Sequence, residues 1–296
     1  MSQRVKEIIV SHGNCPDGAG SAVVAKVLKP SIEYVRGSHD KIDNQILSAA
    51  KKVKNNGTLW IVDIGCDRST LDTVCELAIE KNFFLGIYEH HVSRSYLASY
   101  DLPENVLGEI LFDNERCGSK IFYERMVQDY PEKLKNYEEF IRLTNDRDLW
   151  KNEDPRSADM SLLHSIYGDE KYVQRYVTDS SVEFSDTEDI LVKYEKERLM
   201  KRMHYLLSSI EIKVDRNGYK YGIIIGEGKA SDVCNVAIHK FGLEYVCMID
   251  YNTKRASIRS NKEFNCAAFS EARGGGGHIR AAGFPIPREN FKLYDE

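Results

Sequence analysis

Apolar runs of strand length alternate with helically spaced stretches through the first half of the chain. "EIIVSHG" (7–13), "IEYVRG" (32–37), "TLWIVDIG" (58–65) and "FFLGIYEHHVS" (83–93) read as strands. Between them, "VVAKVLK", "KIDNQILSAAKKV" and "STLDTVCELAIEK" carry helical spacing. Near-continuous apolar strands separated by helices predict a parallel sheet covered on both faces. The pattern is helical again from about 119 to 150, and residues 185–210 predict one long helix with Ser185 and Glu188 placed as a capping box. Beyond it, "YKYGIIIGEG", "EYVCMIDYN" and "RASIRSN" read as strands, and "SDVCNVAIHKFG" and "NCAAFSEAR" as helices. The expected fold class is α/β: a parallel-sheet domain over 1–184, a connecting helix over 185–215 and a smaller α/β domain over 216–296.

Polar residues recur where the strands end. His12 and Asp17 follow the first, Asp63 lies within the third, and His90 and His91 follow the fourth. Ligands of open parallel sheets bind at the carboxyl ends of the strands, so these side chains are expected to share one site. Asp148, in "NDRDLW", is a further candidate. Each residue alone has an ordinary role as a turn, a cap or a surface ion pair; the convergence is what points to chemistry. Imidazoles with carboxylates and no thiolate cluster suit Mn²⁺, Mg²⁺ or Fe²⁺ better than structural zinc. Two such ions sharing a carboxylate would activate a water and clamp a phosphoryl group.

A second signal is "ARGGGGHIRAAGF" (272–284). Successive glycine N–H groups can form an anion-binding nest, with a helix expected to begin just after it.

Composition narrows the function. The seven cysteines, at 15, 66, 75, 117, 234, 247 and 266, include no C-x-x-C pair, which argues against a disulfide framework or a zinc finger. No apolar run approaches membrane-spanning length, and the chain reads as soluble and cytoplasmic. Net charge is −5 overall; residues 211–296 carry 13 Lys+Arg against 11 Asp+Glu, whereas residues 1–210 carry 28 against 35. That balance excludes a basic surface for duplex nucleic acid, so an anionic ligand must be held by a local pocket or by bound cations. The 17 tyrosines are scattered and form no basic–aromatic stripe for long single strands.

With these residues assembled, the chain resembles the DHH phosphoesterase superfamily, in the subfamily with a C-terminal DHHA1 domain. The stretches that carry the resemblance are "SHGNCPDGAGSA", "IVDIG", "YEHHVS", "NDRDLW" and "RSNKEFNCAAFSEARGGGGHIRAAGF", in the family's order and across nearly the whole chain. The "CPDG" and "RDLW" stretches look most like a branch described as nanoRNase or exopolyphosphatase-related. The resemblance implies hydrolysis of phosphoester or phosphoanhydride bonds with one or two Mn²⁺ or Mg²⁺ ions. It implies Asp63 as the carboxylate bridging the metals, and His12, Asp17, His90 and Asp148 as further ligands. His91 would face the scissile phosphate, and Arg259, Gly275, Gly276, Gly277 and His278 would grip the substrate phosphate or nucleotide. The implied substrate is a short oligonucleotide or linear dinucleotide held in an inter-domain cleft; polyphosphate, pyrophosphate and cyclic dinucleotides are the alternatives, as is binding without turnover. A homodimer is a further implication.

Three positions depart from the family pattern. Cys15 stands where the first motif's earlier aspartate belongs, with Pro16 after it and His12 at altered spacing. It is either a soft ligand favouring a different metal or a spectator, and the tendency of such cysteines to be buried and inert favours the spectator. Glu89 replaces the name-giving aspartate, which orients an imidazole in the family. Asp146, two residues before Asp148, is either a supporting group or the ligand itself.

Overall fold

The computed structural model describes residues 5–261 and 264–286. The chain divides into two compact units, Met1–Lys193 and Tyr194–Glu296.

The first unit opens with β1 (Val5–His12), α1 (Pro16–Leu28), β2 (Glu33–Gly37), α2 (Ile42–Lys52), β3 (Val53–Val62), α3 (Arg68–Lys81) and β4 (Phe84–Glu89). A 3₁₀ segment, Val92–Ser99, leads to β5 (Gly108–Phe112). The helices α4 (Gly118–Asp129), α5 (Pro131–Leu134), α6 (Glu138–Asp148), α7 (Pro155–Thr178) and α8 (Asp186–Ser208) follow. The five strands pair in parallel in the order β2-β1-β3-β4-β5. Alternation along each strand sends side chains to two cores. Ile9, Trp60, Val62 and Tyr88 pack against α1, α4, α6 and α7 through Val23, Phe122, Phe140 and Tyr172. Ile8, Val10, Leu59, Ile61 and Ile87 pack against α2 and α3 through Ile46, Leu71 and Val74. Burial on both faces is why these strands read as unbroken apolar runs.

β5 and α7 lie in stretches that the apolar pattern leaves unassigned. β5 is five residues long, and α7 is interrupted at Gly168, where φ is +69°. A glycine bend of this kind breaks the helical spacing.

α8 begins with the expected capping box. Ser185 N–H donates to the Glu188 carboxylate at 2.9 Å, and Glu188 N–H donates to Ser185 Oγ at 3.3 Å. The boundary between the two units falls inside this helix.

The second unit holds the rest of α8, then β6 (Glu211–Val214), β7 (Lys220–Ile225), α9 (Ala230–Phe241), β8 (Tyr245–Asp250), β9 (Arg255–Ser260), α10 (Cys266–Glu271), β10 (Gly276–His278) and β11 (Ala281–Pro285). Its sheet order is β10-β11-β9-β8-β7-β6, with only β7 and β8 parallel. One face packs on α9 through Ile224, Val246, Met248 and Cys234. A smaller cluster of Tyr245, Ile258, Phe264 and Ala282 lies apart from it.

The helix expected after the glycine run does not form. Gly276 enters β10, which pairs antiparallel with β11, and the neighbouring helix α10 precedes the glycines. The reason is steric: a Cβ at Gly275 would lie 2.1 Å from the Gly283 carbonyl oxygen, and one at Gly277 (φ +141°) 2.6 Å from that of Ala281. The glycines permit close strand approach. Lys262 and Glu263 of the same motif, and residues 287–296 of the expected second domain, lie outside the described residues. Among the described residues no helix is long and apolar enough to cross a membrane.

Ile61 is fully buried near the carboxyl end of β3, whereas Ile190 on α8 is 69% exposed. Truncating Ile61 to alanine should destabilise the first unit by about 2–5 kcal/mol in denaturant unfolding. The same change at Ile190 should stay within about 0.5 kcal/mol.

Candidate metal centre

β1, β3 and β4 are neighbours in the sheet, so their carboxyl ends bring His12, Asp63 and the Glu89–His91 turn to one edge. The 2-1-3-4-5 order places a switch point between β1 and β3, where a crevice opens in sheets of this type. Asp63 leaves β3 with φ at +59° while its N–H still donates to the Tyr88 carbonyl at 3.0 Å. Aspartate tolerates this left-handed conformation better than bulkier residues. The start of α4 presses against it: a Cβ on Gly118 would lie 2.7 Å from both Cα and Cβ of Asp63. The first turn of α1 is seated as closely, because a Cβ on Gly18 would collide with the His12 carbonyl oxygen.

Asp17 is completely buried and is held by the N-terminus of α4. Its carboxylate accepts from Gly118 N–H at 2.7 Å and Ser119 N–H at 2.9 Å. Burial opposes its charge, but His90 and hydrogen bonds from Cys117 and Ser119 hold its carboxyl below the ordinary range. Asp63 goes the other way: burial, then the charges of Asp17, Cys15, Asp148 and Glu89, push it well above. Asp148, at the end of α6, is pushed up to about 7 by burial and Asp17.

His90 stands among these acids. Its Nε2 lies 3.1 Å from Asp63 Oδ1, 3.7 Å from Asp148 Oδ2 and 4.0 Å from Asp17 Oδ2. His12 Nδ1 is 3.9 Å from Asp63 Oδ2. Three donor groups result, each with its ligand atoms within 4.8 Å of one another: Asp17–His90–Asp148, Asp63–His90–His91 and His12–Cys15–Asp63. Asp63 belongs to two of them, and its Oδ2 is buried without a hydrogen-bond partner. Crowded buried carboxylates with an unpaired oxygen are costly unless a cation compensates them. The donor set therefore fits divalent metal ions, with Asp63 placed to serve both sides.

His91 has a different setting. Its Nδ1 is 2.7 Å from Glu89 Oε1, and the same oxygen accepts the N–H groups of His90 (2.8 Å) and His91 (2.9 Å). Burial alone would lower the His91 pKa, but the Glu89 carboxylate raises it overall. Holding the proton at Nδ1 leaves Nε2 as the other working nitrogen. Glu89 thus orients an imidazole, as the sequence led one to expect of an acid at this position. Asp146 turns away from the group: its oxygens accept from Glu153 N–H at 2.9 Å and Asp154 N–H at 3.4 Å, closing the loop after α6. Of the two acids in "DRD", Asp148 is the one in the cluster.

Three residues of the site escape the sequence reading. His39, just past β2, has its ring centroid 4.6 Å from that of His12 and 6.1 Å from that of His91. Its position after a strand end was the available signal. Asp169 and His164, both buried on α7, pair at 2.7 Å, and Asp169 also accepts the Asn14 N–H at 3.0 Å. This pair braces the first-motif loop at Asn14, where φ is +58°.

In the second unit, Arg259 on β9 pairs with Ala281 on β11, which pairs with His278 on β10. Directly paired residues point to the same face of a sheet, so Arg259 and His278 share one cross-strand row. The Arg259 guanidinium donates to Ser231 Oγ at 3.0 Å and the Ile258 carbonyl at 2.9 Å. Gly276 and Gly277 are exposed in β10, with Gly275 half-buried beside them.

No protein-family model matches the chain. It is 23% identical over 302 residues to oligoribonuclease NrnB of Bacillus subtilis (strain 168), spanning 97% of this chain and 74% of that protein. A pGpG-specific phosphodiesterase, PggH, from Vibrio cholerae superposes with a TM-score of 0.58 at 11% identity, over 97% of this chain and 95% of that one. The DHH domain of a protein described as a member of a ribosomal-protein family superposes with a TM-score of 0.66 at 12% identity, over 96% and 84%. The two structural likenesses are in fold.

The raised Asp148 carboxyl has a pH signature in metal-free protein. A folded-state pKa of about 7 against an ordinary 3.8 means that the native state keeps a proton the unfolded chain has lost. Stability contributed by this group therefore falls as pH rises from about 4 to 7. Thermal unfolding in chelator should show Asp148→Asn losing less stability than the parent across that window, and Mn²⁺ should restore the parent most strongly at its upper end.

Proposed function

We propose that the chain is a phosphoesterase of the DHH type that hydrolyses phosphodiester bonds of short oligonucleotides or linear dinucleotides with Mn²⁺ or Mg²⁺. The observation that carries the reading is the strand-end cluster of Asp17, Asp63, His90 and Asp148, in which Asp17 and Asp63 are buried and Asp63 Oδ2 has no hydrogen-bond partner. NrnB and PggH, which match nearly all of this chain, are named for short nucleotide substrates, and that supports the substrate class.

Asp17, Asp63, His90, Asp148 and His12 would hold the ions. When bound, they supply Lewis acidity at the phosphoryl oxygens and an activated water. Asp17 is fixed by two α4 backbone donors, so its carboxylate needs little reorganisation on binding. His91, oriented by Glu89, would present Nε2 to the scissile phosphate, stabilising the developing charge or protonating the leaving oxygen. Arg259, His278 and the backbone of Gly275, Gly276 and Gly277 would hold a second phosphate of the substrate. A grip on a terminal phosphate favours short chains. A second reading, ligand binding without turnover, is motivated by Cys15 in place of an aspartate.

The test is hydrolysis of a 5′-phosphorylated RNA dinucleotide, four- and twenty-nucleotide RNAs, a cyclic dinucleotide, pyrophosphate and a short polyphosphate, each with Mn²⁺, Mg²⁺ or chelator. Metal-dependent loss of the dinucleotide with the longest RNA spared is expected. Attack on polyphosphate alone would overturn the substrate class, and absence of turnover would favour the binding reading. His91→Ala should lower kcat by about 10²–10⁴-fold with metal binding retained. Arg259→Ala should act mainly on KM.

A further inference from the structure

Cys15 occupies a place that the reading above does not use. Its sulfur lies in the donor group with His12 and Asp63, all ligand atoms within 4.8 Å of one another. It is also the N-cap residue of α1, a 13-residue helix, and its side chain makes no capping hydrogen bond there. Asp63 is 1% exposed, and its Oδ2, on the side of His12, has no hydrogen-bond partner. A buried unpaired carboxylate oxygen beside an imidazole and a sulfur is the geometry of a cation position. The sequence alone favoured a spectator thiol; the placement does not.

We propose that the Cys15 sulfur, a His12 ring nitrogen and an Asp63 oxygen form one metal position of mixed donors, selecting a thiophilic ion such as Zn²⁺, Co²⁺ or Fe²⁺, while Asp17, His90 and Asp148 select a harder one. The chemistry follows from ligand softness: thiolate draws borderline ions, whereas carboxylate with imidazole accommodates Mn²⁺ and Mg²⁺. Sulfur binds as thiolate, so the thiol proton leaves to solvent as the ion enters. Asp63 would then join two unlike ions, and the centre would be heterometallic. The inference rests on the metal-dependent reading of the site but not on its substrate.

Co²⁺ absorption tests it without reference to activity. Titrating reduced, metal-free protein with Co²⁺ should raise a near-ultraviolet thiolate-to-cobalt charge-transfer band that saturates at one equivalent and releases protons. Cys15→Ser should lose the band and weaken Zn²⁺ binding by at least about tenfold. Cys15→Asp should lose the band and shift preference toward Mn²⁺. Cys247→Ser should keep it; Cys247 is the other cysteine that is not buried. Circular dichroism and the retained Mn²⁺ binding of the Cys15 variants guard against misfolding as the cause. Cobalt bound without the band, or a band that survives Cys15→Ser in folded protein, overturns the mixed-donor position while leaving the metal-dependent reading intact. Protein that binds no divalent ion at all overturns both.

Discussion

Burying several carboxylates within reach of one another is the constraint on which this structure turns. Asp63 carries it most sharply: its backbone is left-handed, its side chain is sealed from solvent, and one of its oxygens has no partner. A left-handed non-glycine residue costs on the order of 1–3 kcal/mol, and such strain persists only where the surroundings enforce it. Here β3 delivers the residue, the Tyr88 carbonyl fixes its N–H, and the glycine-lined start of α4 leaves no room for another arrangement.

The neighbouring devices serve the same end. The α4 N-terminus directs two backbone donors at Asp17, so one acid is kept charged while Asp63 and Asp148 are driven toward protonation. Environments that separate the behaviour of adjacent carboxyls are characteristic of sites that handle charge. Glu89, fully buried, collects two backbone N–H groups and the His91 ring on one oxygen, which gives the two imidazoles different settings. The His164–Asp169 pair braces the loop that carries Asn14 and leads to Cys15.

Much of this could be read from the sequence because a parallel sheet buried on both faces leaves long apolar runs, and the runs stop where polar side chains emerge. His12, Asp17, Asp63, His90 and His91 were legible for that reason, and the "NDRDLW" stretch supplied Asp148. His39 was not, since a lone histidine past a short strand looks like surface. His164 and Asp169 were hidden in a helix broken by Gly168, whose interrupted spacing gave no element to place them on. The glycine run misled at one point: close strand approach and an anion nest demand the same residue, and only the antiparallel pairing with β11 distinguishes them.

The central claim is that Asp63 joins two groups of metal ligands at the strand ends. Anomalous scattering from crystals soaked with Mn²⁺ tests it most directly. The account predicts a manganese peak bonded to Asp63 together with ligands from Asp17, His90 and Asp148, and its loss in Asp63→Asn. Stoichiometric manganese bound elsewhere, or no bound manganese in protein that still hydrolyses its substrate, would contradict it.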